Sequence, residues 1–437
     1  MKPYQYGGII LILCAIILVV CCVFGSSPGS PTLPALILPD PLGPGISGSV
    51  SASEQAVTEG NTRFALDFYR SLRTNPRYAD SNIFFSPYSM STAFSLAGEG
   101  ARGKTADEIR TVFHLPENPA TRREGNARIS EALNNPQAGY TLHTANALWA
   151  EKSYPFLPEY LATAAQYYHA DATNVDFISH PEESRQEINR WTEAKTENKI
   201  HDLIPTGVIT PLTRLVITNA VYFRGTWEKE FNKDETTDAP FRKLDGTKPQ
   251  VRMMQRGDHQ SIFGYVDTWT YQAIELPYTS TGGKHLSMLV ILPKGDDLTS
   301  VENSLSPGQI AGIRKSLTSR WVKVYFPKFS LDTTYALPGI LGTMGMPTAF
   351  GGGADLSGMD GSQMLSIGDA IHKATIDVNE EGTEAAAATA VAVTLKGDGP
   401  QPEKPPEFRA DHPFIFLIQD TESGNILFMG RVVNPSS

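Results

Sequence analysis

The sequence predicts an α+β domain whose sheets are largely antiparallel. Two observations lead to this fold class. Amphipathic helical patterns gather in the first half of the chain, whereas runs rich in β-branched and aromatic residues dominate from Phe263 onward. A late segment, 379–396, also alternates with the period of a strand. No internal repeat and no second linker is evident, so one large domain is expected.

Length and composition fit a globular protein and argue against a nucleic-acid binder. The chain has 437 residues, of which 41% are hydrophobic and 19% charged, and these values are ordinary for a domain with a sizeable core. Its net charge of −10 is acidic, whereas proteins that bind nucleic acids usually carry a basic face. We therefore expect no nucleic-acid partner.

Residues 1–25 predict a signal peptide or a membrane anchor. Positions 9–24 form an almost unbroken apolar run, which is near the lower length limit for spanning a bilayer and also suits a signal peptide. Cys14, Cys21 and Cys22 are the only cysteines, so no disulfide or thiolate metal site is expected in the folded part. An extracellular or cell-surface protein is expected, and both secretion and a membrane tether remain open.

Residues 26–53 are rich in Pro, Gly and Ser and predict a linker, which leaves residues 54–437 as the folded domain. Helical spacing predicts helices at 59–74, after 86, from 105, at 159–168 and at 184–199. Alternation and β-branched content predict strands at 82–85, 141–150, 215–224, 271–276, 286–292, 322–331, 414–419 and 426–433.

Capping signals mark two of the helix starts. Ser86 precedes Pro87, which gives a capping side chain followed by proline at the first helical position. Thr105 and Glu108 stand at the spacing of a capping box, so the next helix is expected to begin at Thr105.

Enzyme signatures are missing from the sequence. It contains no G-x-S-x-G, H-E-x-x-H or P-loop motif, and the triple glycine at 351–353 predicts a turn. The nine histidines show no metal-ligand spacing. His372 lies in a strand-like alternation, where a hydrogen-bonded core residue is the main alternative to a catalytic one. The sequence therefore predicts no catalytic activity, no metal and no cofactor.

The segment 379–396, NEEGTEAAAATAVAVTLK, carries two conflicting signals. Its alanines favour a helix, because Ala is the best helix former. Its spacing favours a strand, since alternate positions from Thr383 to Leu395 form one small and increasingly apolar face. The next segment, 397–406, predicts an exposed loop. A loop in one state and a strand in another would make the segment bistable; an Ala-rich linker or surface helix is the alternative.

Four segments, taken together and in this order, resemble the serpin family: NIFFSPYSMSTAFSLAGEGARGKTADEI (82–109), TNAVYFRGTWEKEF (218–231), IHKATIDVNEEGTEAAAATAV (371–391) and HPFIFLIQDTESGNILFMGRVVNP (412–435). The resemblance implies a serpin fold with about three mostly antiparallel β-sheets, a helical N-terminal half and an exposed reactive-centre loop at about 380–406. A monomer is expected.

The resemblance also implies a suicide-substrate inhibitor of a serine protease, with cysteine proteases as the other target class. The protease would attack the loop and form an acyl-enzyme, and the cut loop would then insert as a strand into the main sheet. A non-inhibitory serpin that acts as a binding or chaperone-like protein is the alternative.

The hinge of this loop would comprise Glu380, Glu381, Gly382, Thr383, Glu384, Ala385, Ala386, Ala387 and Ala388. Its inward side chains must be small or apolar, because a buried unpaired charge opposes insertion. The inward set fits this requirement: Thr383, Ala385, Ala387, Thr389, Val391 and Val393. Non-inhibitory members often carry bulky or charged residues or prolines in the hinge, so these residues favour an inhibitor.

The family's usual spacing puts the residue before the cut fourteen positions beyond Gly382, which is Lys396. The bond Lys396-Gly397 would suit a trypsin-like protease with an acidic specificity pocket. The loop after Lys396 is several residues longer than is common, so cuts after Leu395 or Thr394 remain open, as does a merely solvated lysine.

Other positions match the family's gating residues. The family's shutter is a region where polar groups hydrogen-bond beneath the strands that separate on insertion. It is matched by Ser86, Ser89, Asn219 and His372. Trp227 matches the tryptophan of the breach, where insertion begins, and Glu380 matches an acid that closes the top of the sheet.

Overall fold

The structure is a computed structural model that describes residues 50–134, 139–282, 284–295, 297–383 and 404–436. Its helices are α1 Ala52–Thr74, α2 Pro87–Gly100, α3 Gly103–Val112, α4 Pro119–Leu133, α5 Pro158–Thr163, α6 Pro181–Lys195, α7 Leu298–Ser304, α8 Pro307–Ser316, α9 Leu337–Met344 and α10 Ser357–Asp360. A π-helical turn, Ala164–Tyr168, continues α5.

The strands are β1 Ile83–Phe85, β2 Tyr140–Glu151, β3 Asp171–Val175, β4 Leu215–Thr226, β5 Thr237–Pro240, β6 Gln250–Arg256, β7 Ile262–Asp267, β8 Tyr271–Pro277, β9 Leu286–Pro293, β10 Thr318–Trp321, β11 Lys323–Pro327, β12 Phe329–Ala336, β13 Asp369–Asn379, β14 Gly382–Thr383, β15 Glu407–Arg409, β16 Phe414–Asp420 and β17 Ile426–Val432.

The described strands form three sheets, most of whose neighbours are antiparallel. The first has six strands in the order β12-β13-β14-β4-β2-β3, the second has seven in the order β1-β17-β16-β9-β8-β7-β10, and the third has four in the order β15-β11-β6-β5. Parallel pairing occurs between β2 and β3, β13 and β4, and β11 and β15. The predicted α+β class with about three mostly antiparallel sheets is confirmed.

The main core lies between the six-stranded and seven-stranded sheets. Phe64, Phe68 and Phe94 project from α1 and α2 into it and are fully buried, together with side chains such as Ile217 of β4 and Leu289 of β9. Helix α6 covers the other face of the six-stranded sheet, where a separate buried cluster joins it to β2, β4 and β13. The six-stranded sheet is therefore covered on both faces.

Two local predictions were wrong. Helix α3 begins at Gly103 rather than at Thr105, and its N-cap has no side-chain hydrogen bond. The Thr105 hydroxyl accepts instead from Asp355 N at 3.0 Å, and the Glu108 carboxylate accepts from Thr348 N at 2.8 Å. The two side chains that resembled a capping box thus bind distant segments.

The run 322–331 is two strands in two sheets rather than one strand. Strand β11 ends at Pro327 in the four-stranded sheet, and β12 begins at Phe329 in the six-stranded sheet. Proline has no backbone N–H to donate to a ladder, so it suits the point where the chain leaves a sheet.

Other local predictions were confirmed. Ser86 caps α2 by accepting from Ser89 N at 3.2 Å, and Pro87 occupies the first helical position.

Among the described residues, no helix combines the length and apolar character needed to cross a bilayer. The apolar run at 9–24 lies outside the described residues.

Candidate functional site

The start of the hinge lies inside the six-stranded sheet. Strand β14 pairs antiparallel with both of its neighbours, so that Thr383 lies opposite Val378 of β13 and Gly225 of β4. Further along, β13 and β4 pair directly with each other, from Asp369 with Val216 to Thr375 with Tyr222. The two strands therefore separate at one end to admit Gly382–Thr383 and stay closed along the rest of their length.

Glycine is required at position 382. Its φ angle of +151° is one that side chains rarely adopt, and a Cβ atom built there would lie 2.1 Å from the carbonyl oxygen of Gly225. The backbone of β4 thus approaches the hinge too closely for any other residue.

Thr383 is held by an aromatic pair at the breach. Its hydroxyl lies 2.8 Å from the Tyr278 hydroxyl, and both side chains are buried. The Tyr278 ring stacks on the Trp227 indole with centroids 4.6 Å apart. The indole N–H donates to Asn379 O at 3.0 Å, at the end of β13. Trp227 therefore anchors the turn from which the hinge emerges.

Two consecutive carboxylates form this turn, and each has its own lysine. Glu380 accepts from Lys328 Nζ and from Thr236 Oγ1, both at 2.7 Å. Glu381 pairs with Lys233. Both glutamates are almost fully buried as residues, at 4% and 6% exposure, so the lysines compensate two charges that burial alone would penalise.

These contacts determine how the turn titrates. Burial tends to raise the pKa of Glu380, but the hydrogen bonds from Lys328 and Thr236 outweigh it and hold this pKa below its usual range. The hydrogen bond to Glu381 raises the pKa of Lys233. Glu380 is therefore ionised at neutral pH, and the Glu380–Lys328 pair is intact.

A row of three polar side chains crosses the centre of the same sheet. Asn146 of β2 lies opposite Asn219 of β4, which lies opposite His372 of β13. Asn219 Nδ2 lies 2.5 Å from Asn146 Oδ1, and Asn219 Oδ1 pairs with His372 Nδ1. The Asn219–His372 contact joins β4 to β13, the two strands that Gly382–Thr383 separate at the other end of the ladder.

The N-terminus of α2 supports this row from the core side. Ser89 Oγ donates to Asn146 Oδ1 at 2.9 Å and accepts from Asn219 Nδ2 at 2.7 Å. Ser86 N donates to His372 Nε2 at 3.0 Å, and Ser86 Oγ donates to Leu427 O at 2.6 Å. The polar groups of the row thus form hydrogen bonds with the N-terminal residues of α2 as well as with one another.

His372 is neutral in this environment. Because Nε2 accepts from a backbone N–H, the ring proton must be on Nδ1, where it is donated to Asn219. The residue is fully buried, and burial lowers its pKa from 6.5 to about 3. A ring whose two nitrogens are occupied and whose surface is inaccessible has the geometry of a structural histidine.

The structure brings Ser86, Ser89, Asn219 and His372 together as one hydrogen-bonded group and gathers Trp227, Glu380, Glu381, Gly382 and Thr383 at the breach. The remaining predicted residues lie outside the described residues: Glu384, Ala385, Ala386, Ala387, Ala388, Lys396 and Gly397.

Sequence reasoning missed the partners of these groups. Each missed partner contacts a predicted site residue and comes from another part of the chain. These partners are Asn146, Tyr278, Lys233, Lys328 and Thr236. Asn146 carried a signal, since it is an asparagine in the middle of a predicted strand. The lysines carried none, because a surface lysine looks the same whether or not a distant carboxylate meets it.

Comparison with known proteins identifies the family of this chain. A family model described as "Serpin (serine protease inhibitor)" matches residues 59–435. The chain belongs to the serpin family. The predicted serpin fold is confirmed by this match and by solved structures that share it.

The relatives of this serpin differ in what their names state. It is 43% identical over 384 residues to an uncharacterized serpin-like protein of Thermococcus kodakarensis, covering 87% of this chain and 86% of that one. It is 38% identical over 392 residues to leukocyte elastase inhibitor A of Mus musculus, covering 87% and 100%. Human thyroxine-binding globulin superposes with a TM-score of 0.78 at 29% identity, covering 88% and 100%. Some serpins are thus named as protease inhibitors and others as binding proteins.

Proposed function

We propose that this serpin is a suicide-substrate inhibitor of a serine protease, which it traps as an acyl-enzyme by inserting its cleaved loop into the six-stranded sheet. The observation that carries the proposal is the position of Gly382–Thr383, which pair with β13 and β4 at the open end of the sheet. Insertion would then lengthen β14, whose first two residues are already hydrogen-bonded to both neighbouring strands.

The strand can lengthen without any change of register. Continuing from Thr383, residue 385 would lie opposite Ile376 of β13 and Phe223 of β4. Ile376 and Phe223 are also the next pair in the parallel register of β13 with β4. The inserted strand would therefore replace the direct β13–β4 ladder by two ladders. Its inward side chains would lie level with the inward side chains of both neighbouring strands.

The two faces of the loop suit the two faces of the sheet. The inward positions from Thr383 would meet a buried layer that includes Val378, Ile376 and Phe223. The outward positions 386, 388, 390 and 392 are all alanine. They would enter beneath α6, which packs on Val216, Ala220 and Ile371. Small side chains are needed there because close-packed layers tolerate little added volume.

Insertion would also exchange one polar contact for another at the centre of the sheet. In the same register, residue 389 would come between Asn219 and His372, whose side chains are paired with each other in this structure. Residue 389 is threonine, and its hydroxyl can both donate and accept. It is therefore suited to bridging the two groups that insertion separates.

The chemistry up to the trap is that of the protease. Its serine Oγ attacks the carbonyl carbon of Lys396, the bond to Gly397 breaks, and the new amine takes the proton that the protease histidine received from the serine. An ester then joins the protease to Lys396. Strand insertion would draw this ester away before water hydrolyses it. In this account the serpin is a substrate and supplies no catalytic group or cofactor.

Lys396 favours a trypsin-like target, because an acidic specificity pocket binds a basic side chain at that position. Cysteine proteases form an equivalent thioester and are the second target class. The runner-up function is a non-inhibitory binding or chaperone-like serpin, and the similarity to thyroxine-binding globulin supports it.

Trapping is tested by mixing the full chain with trypsin, chymotrypsin or subtilisin, followed by denaturing gels and mass spectrometry. We expect a complex with trypsin that survives denaturation, and a released C-terminal fragment beginning at Gly397. Lys396→Ala is the matched control and should lose the complex with trypsin. If all three proteases cleave the loop and none forms a complex, a non-inhibitory binding function is favoured instead.

We also propose that the protein is exported and acts as a monomer outside the cell or at its surface, without a nucleic-acid partner. The apolar run at 9–24 supports export, and the absence of cysteine beyond residue 22 is compatible with it. Mass spectrometry of the N-terminus of protein recovered from its native host would distinguish a cleaved signal peptide from a retained anchor.

A further inference from the structure

An almost fully exposed tryptophan lies at one end of the seven-stranded sheet. Trp269 occupies the turn between β7 and β8, and its exposed fraction is 97%. Strand β9 also ends here and β16 begins here, and we call this end of the sheet the Trp269 end. Tryptophan is mostly buried in folded proteins because its ring is large and apolar, so such exposure is uncommon unless the side chain serves a contact.

Hydrogen bonds within the turn hold Trp269 in place. The Thr268 hydroxyl accepts from Tyr271 N at 3.0 Å and donates to Tyr271 O at 2.8 Å. Thr268 N also donates to Tyr271 O, at 2.9 Å. A turn that is already ordered loses little conformational entropy when its tip binds, so the indole is presented on a preorganised support.

Leu244 is a second exposed apolar side chain at the Trp269 end. It lies in the turn between β5 and β6 and is 47% exposed. Two contacts join this turn to the turn of Trp269 through the segment that follows β9. Arg242 Nη2 donates to Gly295 O at 3.1 Å, and Lys294 N donates to Thr270 O at 2.8 Å. The two exposed apolar side chains therefore belong to neighbouring turns.

Lysines beside these turns are paired with aspartates. Lys294 Nζ lies 2.6 Å from Asp267 Oδ1, and Lys243 Nζ lies 3.3 Å from Asp245 Oδ2. The two pairs together carry no net charge. A surface with paired charges suits the zwitterionic headgroups of a lipid bilayer, and its binding should depend little on anionic lipid or on salt.

The shape of the Trp269 end favours a bilayer over a protein partner. A hairpin tip is convex and offers a small contact area, whereas a specific protein interface buries about 800 Å² on each partner. Lipid headgroups can rearrange around a protruding side chain. Tryptophan is enriched where membranes meet water, because its ring is apolar and its indole N–H is polar.

The chain also contains a segment that is long enough to bring this end to a bilayer. The apolar run at 9–24 predicts a signal peptide or a membrane anchor, and the folded unit begins at Val50. The residues between them, 25–49, span at most about 85 Å when fully extended. A domain of about 390 residues has a radius of gyration of about 21 Å. An anchored chain could therefore turn any part of its surface toward the bilayer.

We propose that the Trp269 end docks on the surface of a lipid bilayer, with the Trp269 indole and the Leu244 side chain in the headgroup region. The paired lysines stay at the level of the phosphates, with their charged ends in water. Docking gives the anchored domain one orientation, which the linker alone does not. The inference rests on the proposed location at the cell surface and is independent of protease inhibition.

Quenching by brominated lipid tests the contact directly. The full chain is reconstituted with phosphatidylcholine vesicles, and flotation measures the bound fraction. Tryptophan emission is then compared between vesicles with and without bromine on the acyl carbons nearest the headgroups. Residues 1–49 contain no tryptophan, so all of the emission comes from the folded unit. We expect bromine to quench part of the parent emission, at low and at high salt, and none of the emission of Trp269→Phe.

A second variant keeps the reporter and changes its neighbour. Leu244→Ser removes the other apolar side chain of the Trp269 end and should lower the quenched fraction at least about twofold, because less apolar surface is buried on docking. Leu212→Ser is the matched control, since Leu212 is 83% exposed in the segment before β4. It should be quenched as the parent is.

Three results would overturn the inference. The chain does not float with the vesicles, or it floats and bromine quenches none of its emission, or the parent and Trp269→Phe are quenched equally, which would mean that another tryptophan meets the lipid. None of these results bears on the proposed trap, which is tested by complex formation with trypsin, or on export, which is tested by mass spectrometry of the N-terminus.

Discussion

At the scale of single residues, His372 shows how burial decides chemistry. The sequence predicted a strand position, and a hydrogen-bonded core residue was weighed there against a catalytic one. The structure shows a ring with both nitrogens hydrogen-bonded and no exposed surface. Asn146 completes the same group and was not predicted, because nothing in the sequence pairs β2 with β4 in a particular register.

Titration of His372 gives a pH-dependent prediction. Its pKa is about 3 when folded and about 6.5 when unfolded, so between these values the unfolded chain binds a proton that the folded chain excludes. The free energy of unfolding should therefore fall as the pH drops below about 6.5, by up to about 1.4 kcal/mol per pH unit. His372→Gln removes this dependence but also loses hydrogen bonds, at a cost of about 1–3 kcal/mol at pH 8.

Urea unfolding of the uncut parent and variant at pH 8, 7, 6 and 5 measures both effects. The stability difference between them should be largest at pH 8 and should shrink toward pH 5. A difference that stays constant over this range would mean that His372 is not the titrating group.

At the scale of elements, the described start of the predicted hinge, 380–383, agrees with the alternation in the sequence. Alternation in the sequence assigned Thr383 to the inward face, and Thr383 is indeed fully buried between β13 and β4. The ion pairs that hold the preceding turn were not predictable, because Lys233 and Lys328 come from segments far away in the sequence.

The two wrong local predictions have the same cause. Thr105 and Glu108 have capping-box spacing but bind distant backbone groups, and 322–331 alternates continuously but changes sheets after Pro327. A local sequence pattern indicates which structures a segment can adopt. Contacts with distant parts of the chain determine which of them it does adopt.

Substitution at Thr383 tests the hinge as an element. Thr383 is already buried between two strands in this structure, so in the uncut variant Thr383→Arg should displace the hinge from the open end of the sheet. Full insertion would return the guanidinium to this site without a partner, at a cost of several kcal/mol, so insertion should lose to hydrolysis of the acyl-enzyme. We expect the variant to be cleaved by trypsin as a plain substrate, with the moles of serpin consumed per mole of inhibited trypsin rising at least about tenfold. Titration of residual trypsin activity measures this ratio, and far-UV circular dichroism should match that of the parent.

Glu384→Arg is the matched control for this substitution. In the register of β14, residue 384 would fall opposite Asp377 and Arg224, which are both exposed on the outer face of the sheet. An arginine there should leave the stoichiometry near the parental value. Trapping by Thr383→Arg that is as efficient as trapping by the parent would refute strand insertion at this register.

At the scale of the whole molecule, the structure describes a sheet that is only partly open. Strands β4 and β13 are paired directly from Asp369 to Thr375 and are separated at the breach by two hinge residues. Full insertion would add a strand of about ten residues with hydrogen bonds on both sides. If the proposed function is right, the uncut fold is held by a kinetic barrier, because a conformation with more contacts is accessible to the same chain.

The sequence predicted the α+β class and the serpin fold, whereas movement of the predicted loop stays a prediction. It could not predict that β4 and β13 pair directly from Asp369 to Thr375, because this register depends on tertiary contacts.

Insertion of the loop as a strand predicts that the thermal unfolding midpoint rises after a single cut in the loop. A small amount of protease cuts the bond after Lys396 or a near neighbour, and the cut chain is separated from any trapped complex. Roughly ten additional hydrogen bonds, each stabilising by about 1 kcal/mol, should raise the midpoint by at least about 10 °C. Thr383→Arg cut at the same bond should show a much smaller rise. Equal midpoints for the cut and uncut parent would contradict insertion of the loop as a strand.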